Sequence, residues 1–180
     1  MQETFITSAD FVKAATDISD NIAGKYLLPA IREAQEIYLR PIIGGSLLDA
    51  LKDVVASGGN FSGVRLDLVN LCQYYIAYAA IGLVIPRVSF KITNFGLTKT
   101  VDEKTEAASY GDVDRAIFFY QDKADYYCKR IQTLILANRG DFPEVDGCQC
   151  GEIRAQLYSA ATCGVFLGGP RGKKIGGPGR

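Results

Sequence analysis

Late in this chain, apolar side chains recur with a spacing that only one kind of secondary structure can use. Val113, Ile117, Tyr120, Ala124, Tyr127, Ile131 and Leu134 follow one another at intervals of 4, 3, 4, 3, 4 and 3, along a stretch without proline or glycine. A helix brings such positions onto one face, so the spacing predicts a long helix from about Asp112 to Asn138, closed by Gly140 and Pro143. Lys123, Lys129 and Arg130 fall off the seam. The stripe could pair with another chain as a coiled coil or face the core of its own domain. The core-facing reading is preferred, because there are only about three heptads and because Phe118, Phe119 and Tyr126 widen the apolar surface.

The rest of the first 145 residues reads as further helices. Ser8 is a suitable N-cap for a short helix in ADFVKAATDI. LLPAIREAQEIYL places Leu27, Leu28, Ile31, Ala34 and Tyr38 at helical spacing, with Pro29 in the first turn and Pro41 as the stop. Ser46 is the expected cap of LLDALKDVV, and the glycines of SGGNFSG end it. A helix from about Val64 to Val84, rich in Tyr and Ala, is apolar around most of its circumference and therefore central, with Pro86 as its terminator. Asp67, Asn70 and Gln73 interrupt its apolar run, so it reads as a buried helix and not as a membrane span. VSFKITNFGLTKTV alternates apolar and polar residues on both sides of Asn94, which predicts a β-hairpin at about 88–101. DEKTEAAS reads as a loop.

The pattern breaks at Asp146. EIRAQLY and TCGVFLG could form short strands, and GGPRGKKIGGPGR is too rich in glycine and proline for a helix. Residues 146–180 are therefore expected to be an extended, glycine-rich, basic C-terminal arm. Acidic and basic residues balance at 20 each, yet Glu152 is the last acid and Arg154, Arg171, Lys173, Lys174 and Arg180 follow it. Charge is segregated along the chain, and any attraction to phosphate or to an acidic groove must be local to this arm. Within it, Arg171, Lys173, Lys174 and Arg180 are the candidate contact residues.

Chemistry is hard to find. The chain has no histidine, which removes the commonest general base and the His-dependent triads and metal sites. Asp112/Asp114 and Asp122/Asp125 read as a solvated helix face and not as acid/base pairs. Cys148, Cys150 and Cys163 fall short of zinc-site spacing, and GGPRGKK lacks the Ser or Thr and the following helix of a phosphate loop. Five cysteines in a chain large enough to build a core argue against a disulfide framework, with Cys72 and Cys128 as core fillers. No enzyme, metal or cofactor is expected. MQETFITSADF carries no secretory signal pattern, so synthesis in a reducing cytoplasm is expected.

Three stretches in order resemble a known family. LLPAIREAQEIYLRPIIGGSLLDAL has an Arg-Glu-Ala helix, a Leu-Arg-Pro break and a glycine before the next helix. FKITNFGLTKTVDEKTEAAS follows, then YYCKRIQTLILAN and DFPEV. Together, over about residues 20–145, they resemble the head–tail connector (adaptor) proteins of tailed phages, in the version found in Bacteroidales and crAss-like phages. The resemblance implies a mainly α protein, a bundle of about four to five helices with a small β-hairpin arm and an extended C-terminal segment. It implies a ring, usually of twelve copies, that docks on the portal protein and offers a landing surface to tail or neck proteins, in a virion assembled in the bacterial host cytoplasm. The arm, Gly164 to Arg180, would then meet the portal, a neighbouring copy or packaged DNA, and no membrane. A different class of function, a nucleic-acid-binding accessory protein using the basic arm, is the alternative.

Overall fold

The computed structural model describes residues 4–19, 22–93, 96–99 and 109–146. The expected C-terminal arm beyond Asp146, with its cysteines, and the expected loop DEKTEAAS up to Ala108 lie outside the described residues. What is described is mainly α.

Helix α1, Ala9–Ala15, starts where its sequence says it should, with the Ser8 hydroxyl accepting from Phe11 N–H at 3.1 Å. Helix α2, Gly24–Glu33, begins earlier than expected, which puts Pro29 inside the helix and not in its first turn. Pro41 does not stop the chain either. A π-helical turn, Ala34–Leu39, and a short α3, Arg40–Ile43, continue α2 as far as Gly44. The wide turn accounts for this: Arg40 N–H reaches back five residues to the Gln35 carbonyl, which makes room for a proline ring that a tight α-turn would reject. Gly44, at φ 88°, takes the N-cap position of α4, Gly45–Ala56, in place of Ser46. That left-handed backbone favours glycine.

Helix α5, Gly63–Ser89, is the axis of the fold. Pro86 lies within it and not after it. A proline near a C-terminus forfeits one donor only, and the ion pair of Arg87 with Glu33 of α2 secures the extra turn. By length and composition α5 could cross a membrane, but 72% of its most apolar window is buried inside the protein. Leu68, Cys72, Tyr75, Ile76, Ala80 and Ile81 are at most 1% exposed. Each large side chain so buried contributes roughly 1.5–3 kcal/mol.

Helix α6, Tyr110–Ala137, runs back along α5 and makes its largest packing interface. The Ser109 hydroxyl accepts from Asp112 N–H and the Asp112 carboxylate accepts in return from Ser109 N–H, a capping box. Asp112 thus serves the helix end. Val113, Ala124 and Ile131 of the heptad stripe are buried, with Tyr120, Tyr127 and Leu134 half-buried against the same core, so the stripe faces its own domain. A 3₁₀ turn, Arg139–Asp141, and α7, Pro143–Asp146, close the described chain. Arg65 at the start of α5 binds Glu144 at 2.5 Å and holds that end in place.

Between α5 and α6, β1 (Phe90–Thr93) pairs antiparallel with β2 (Gly96–Lys99), Phe90 opposite Lys99 and Thr93 opposite Gly96. Val88, expected in the first strand, is still helical.

Two side chains tie the N-terminal segment to this frame. Gln35, fully buried, accepts from Ile6 N–H at 2.9 Å and donates to the Thr4 carbonyl at 3.3 Å. Gln73 of α5 donates to the Ile6 carbonyl at 3.0 Å. Residues 4–6 thus find side-chain partners where no strand exists to supply them. Gln35→Leu keeps most of the volume but strands the Ile6 N–H, and should cost about 1–3 kcal/mol in urea-denaturation midpoints. An unchanged midpoint would mean the clamp is idle.

Beside Gln35, Glu36 sits between Arg40 (3.0 Å) and Lys52 (2.8 Å), and Arg40 also reaches Asp49 at 2.8 Å. Burial pushes the Glu36 carboxyl pKa up, but hydrogen bonds from Lys52, Gln35 and Arg40 outweigh it and hold the value at about 2. Because the folded value is depressed, the stability this carboxylate adds is complete above pH 4.5 and is lost as pH falls towards about 2. Thermal unfolding followed through that window should show the loss in the native chain and a flatter profile in Glu36→Gln.

Candidate interaction surface

One flank of the α5–α6 pair is built from aromatic rings. Tyr74 and Tyr78 are four residues apart on α5, and Tyr120 and Tyr127 are seven apart on α6, so each pair shares a helix face. Where the two faces meet, Tyr127 stacks on Tyr74 (5.3 Å, 13°) and on Tyr78 (5.6 Å, 18°). Tyr120 packs beside Tyr78 at 6.4 Å, and Phe11 of α1 meets Tyr74 edge-on at 5.4 Å. Apolar ring bodies close the gap between helices while the hydroxyls can stay wet.

The rings continue outward onto solvent. Phe119, Asp122, Lys123, Tyr126 and Tyr127 line an open groove of about 350 Å³. The Lys123 ammonium lies 4.5 Å from the Phe119 ring centre and 5.2 Å from that of Tyr78, and the Arg130 guanidinium lies 5.7 Å from that of Tyr126. The ring faces of this flank therefore already attract cations. Burial pushes the Tyr120 hydroxyl pKa up, with Asp17 and Tyr78 adding to it. Phe118, about 100° further round the helix, points to the opposite flank and is 58% exposed.

The remaining candidates are less productive. Arg171, Lys173, Lys174 and Arg180, with Cys148, Cys150 and Cys163, lie outside the described residues. Asp125 is half-buried with one oxygen lacking a hydrogen-bond partner among the described residues, and burial raises its pKa. Its neighbour Tyr75 is itself raised by burial and then by Asp125, with Tyr38 and Cys72 adding to it. Among the described residues, no group of three or more His, Cys, Asp or Glu could hold a metal ion. Cys72 is a free, fully buried thiol whose pKa burial pushes up. Cys128 corrects the expectation of two plain core thiols: it is equally buried but disulfide-bonded. An odd cysteine count and an ample core argue against a framework of bridges; they do not forbid one.

Sequence reasoning noted that the central helix is tyrosine-rich but did not assemble the aromatic flank. The signal was present as Tyr74/Tyr78 and Tyr120/Tyr127, and it needed the antiparallel pairing of α5 and α6 to bring the two sets together. Tyr127→Leu preserves apolar volume while removing both stacks, and should cost about 1–3 kcal/mol. A double-mutant cycle with Tyr78→Leu should return a coupling energy; strict additivity would show that the stacking adds nothing.

No curated protein and no solved structure matches the chain. A family model does, over residues 39–155, from the end of the π turn through α4, α5, the strand pair, α6 and α7. That is more than half of the sequence, and the chain belongs to this family, a family of unknown function (DUF6712).

Proposed function

We propose that this chain is a structural, non-enzymatic subunit of a tailed-phage particle, a head–tail connector that forms a ring on the portal and links capsid to tail. The observation that carries the reading is the outer side of α6. Phe118, Phe119 and Tyr126 stand 58%, 50% and 56% exposed on a helix whose inner side is locked into the core. Large rings left exposed on the solvent side of a packed helix, Phe119 and Tyr126 on the groove flank and Phe118 on the other, mark a surface that another protein covers, and aromatics are the residues enriched at such contacts.

The assignment to the connector class rests on the ordered sequence features over residues 20–145. On this reading the β1–β2 ladder is an arm: a two-stranded ribbon has outer backbone edges to which a neighbour can add a strand. Neighbouring copies, the portal and tail or neck proteins are the partners, and Arg171, Lys173, Lys174 and Arg180 contact the portal, a neighbour or the packaged DNA.

Negative-stain images of the purified chain, alone and mixed with portal, should show rings. The double substitution Phe118→Ser, Phe119→Ser changes exposed positions, so it should leave the helical circular dichroism intact while abolishing them. A protein that stays monomeric and ignores portal would contradict the proposal.

A further inference from the structure

We infer that the Cys128 disulfide ties the C-terminal segment back onto the middle of α6, with Cys148, Cys150 or Cys163 as the other half of the bond. Cys128 is disulfide-bonded and Cys72 is a free thiol, so of the five cysteines in the chain only those three remain as partners. A single chain is present, which makes the bond intramolecular.

The surroundings of Cys128 suit a returning segment. Cys128 stands on the inner row of α6 with Ala124, Ile131 and Ile135, all at most 1% exposed. Three residues earlier, Asp125 has a buried carboxylate oxygen with no hydrogen-bond partner among the described residues. Residues three apart are neighbours on a helix surface, so a segment bonded at Cys128 passes beside that oxygen and can give it a backbone N–H or a cation. After Glu152 the segment holds Arg154, Arg171, Lys173, Lys174 and Arg180 and no acid.

Chain length fits as well. From Cys128 to the end of α6 at Ala137 is roughly 14 Å along the helix axis. Extended chain covers about 3.3–3.6 Å per residue, so a segment that doubles back after α7 comes level with Cys128 by about Cys150, and Cys163 has length to spare. Because the Cys128 sulfur is sealed in the core, an attacking thiolate must strike the segment's sulfur and expel a thiolate into apolar surroundings, which makes the bond durable. The basic arm therefore departs from the side of α6 and not from the end of α7.

Equilibration of the full-length chain in a buffer of reduced and oxidised glutathione tests this. Neither portal nor ring is needed, so the outcome is separate from that of the connector reading. Each bond formed joins two thiols and passes two electrons and two protons to oxidised glutathione, which leaves as two thiols. After acid quenching, denaturation and alkylation without reductant, peptide mapping should find Cys128 joined to Cys148, Cys150 or Cys163 of the same chain, and Cys72 alkylated. Asp125→Ala, at a half-buried position, should lower the equilibrium constant for the linked form about fivefold. Cys128 recovered alkylated or capped by glutathione, Cys128 joined to Cys72 or to a second chain, or a linkage constant unmoved by Asp125→Ala would overturn the proposal.

Discussion

The burial of α5 governs how every other element must sit. A 27-residue helix with apolar side chains on nearly all sides has no face to give to water, so it must be enclosed. Helix α6 covers one side along its length, α2 and the π turn another, and α1 a third. Since α6 needs only its inner stripe for that task, its outer side is left free to carry something else. What it carries is aromatic, and that division between a locked inner face and a ring-bearing outer face is the basis of the functional reading.

Enclosing α5 also creates polar obligations. Residues 4–6 cross the bundle without joining a sheet, and their backbone groups would be stranded but for Gln35 and Gln73. Gln35 sits in the π turn, next to the carboxylate that gathers Arg40 and Lys52. One irregular turn therefore accommodates Pro41, fastens the N-terminal segment and anchors α4. The irregularity is best understood as the point where three packing demands are met together.

The long helices were legible because their signals are redundant, since the heptad stripe of α6 and the near-continuous apolar run of α5 each depend on several residues, and the short α1 was legible from one well-defined cap at Ser8. Boundaries at proline were not. Pro41 and Pro86 read as stops because sequence rules treat proline in isolation, whereas a π turn in one case and an Arg87–Glu33 ion pair in the other hold the helix through it. Ser46 was a reasonable cap by residue type, but the positive φ at Gly44 ended the preceding helix first. The stacked aromatic flank was invisible for a different reason: its halves lie about fifty residues apart, and only tertiary pairing joins Tyr78 to Tyr127.

Concealment of the α6 outer face by other subunits is the central claim, and Phe118, on the flank away from the groove, is its cleanest reporter. Hydroxyl-radical footprinting read by mass spectrometry, at high dilution and again at assembling concentration with portal present, measures it directly. The account predicts that Phe118 is labelled in the dilute protein and protected in the assembly. Equal labelling of Phe118 in both states would contradict it.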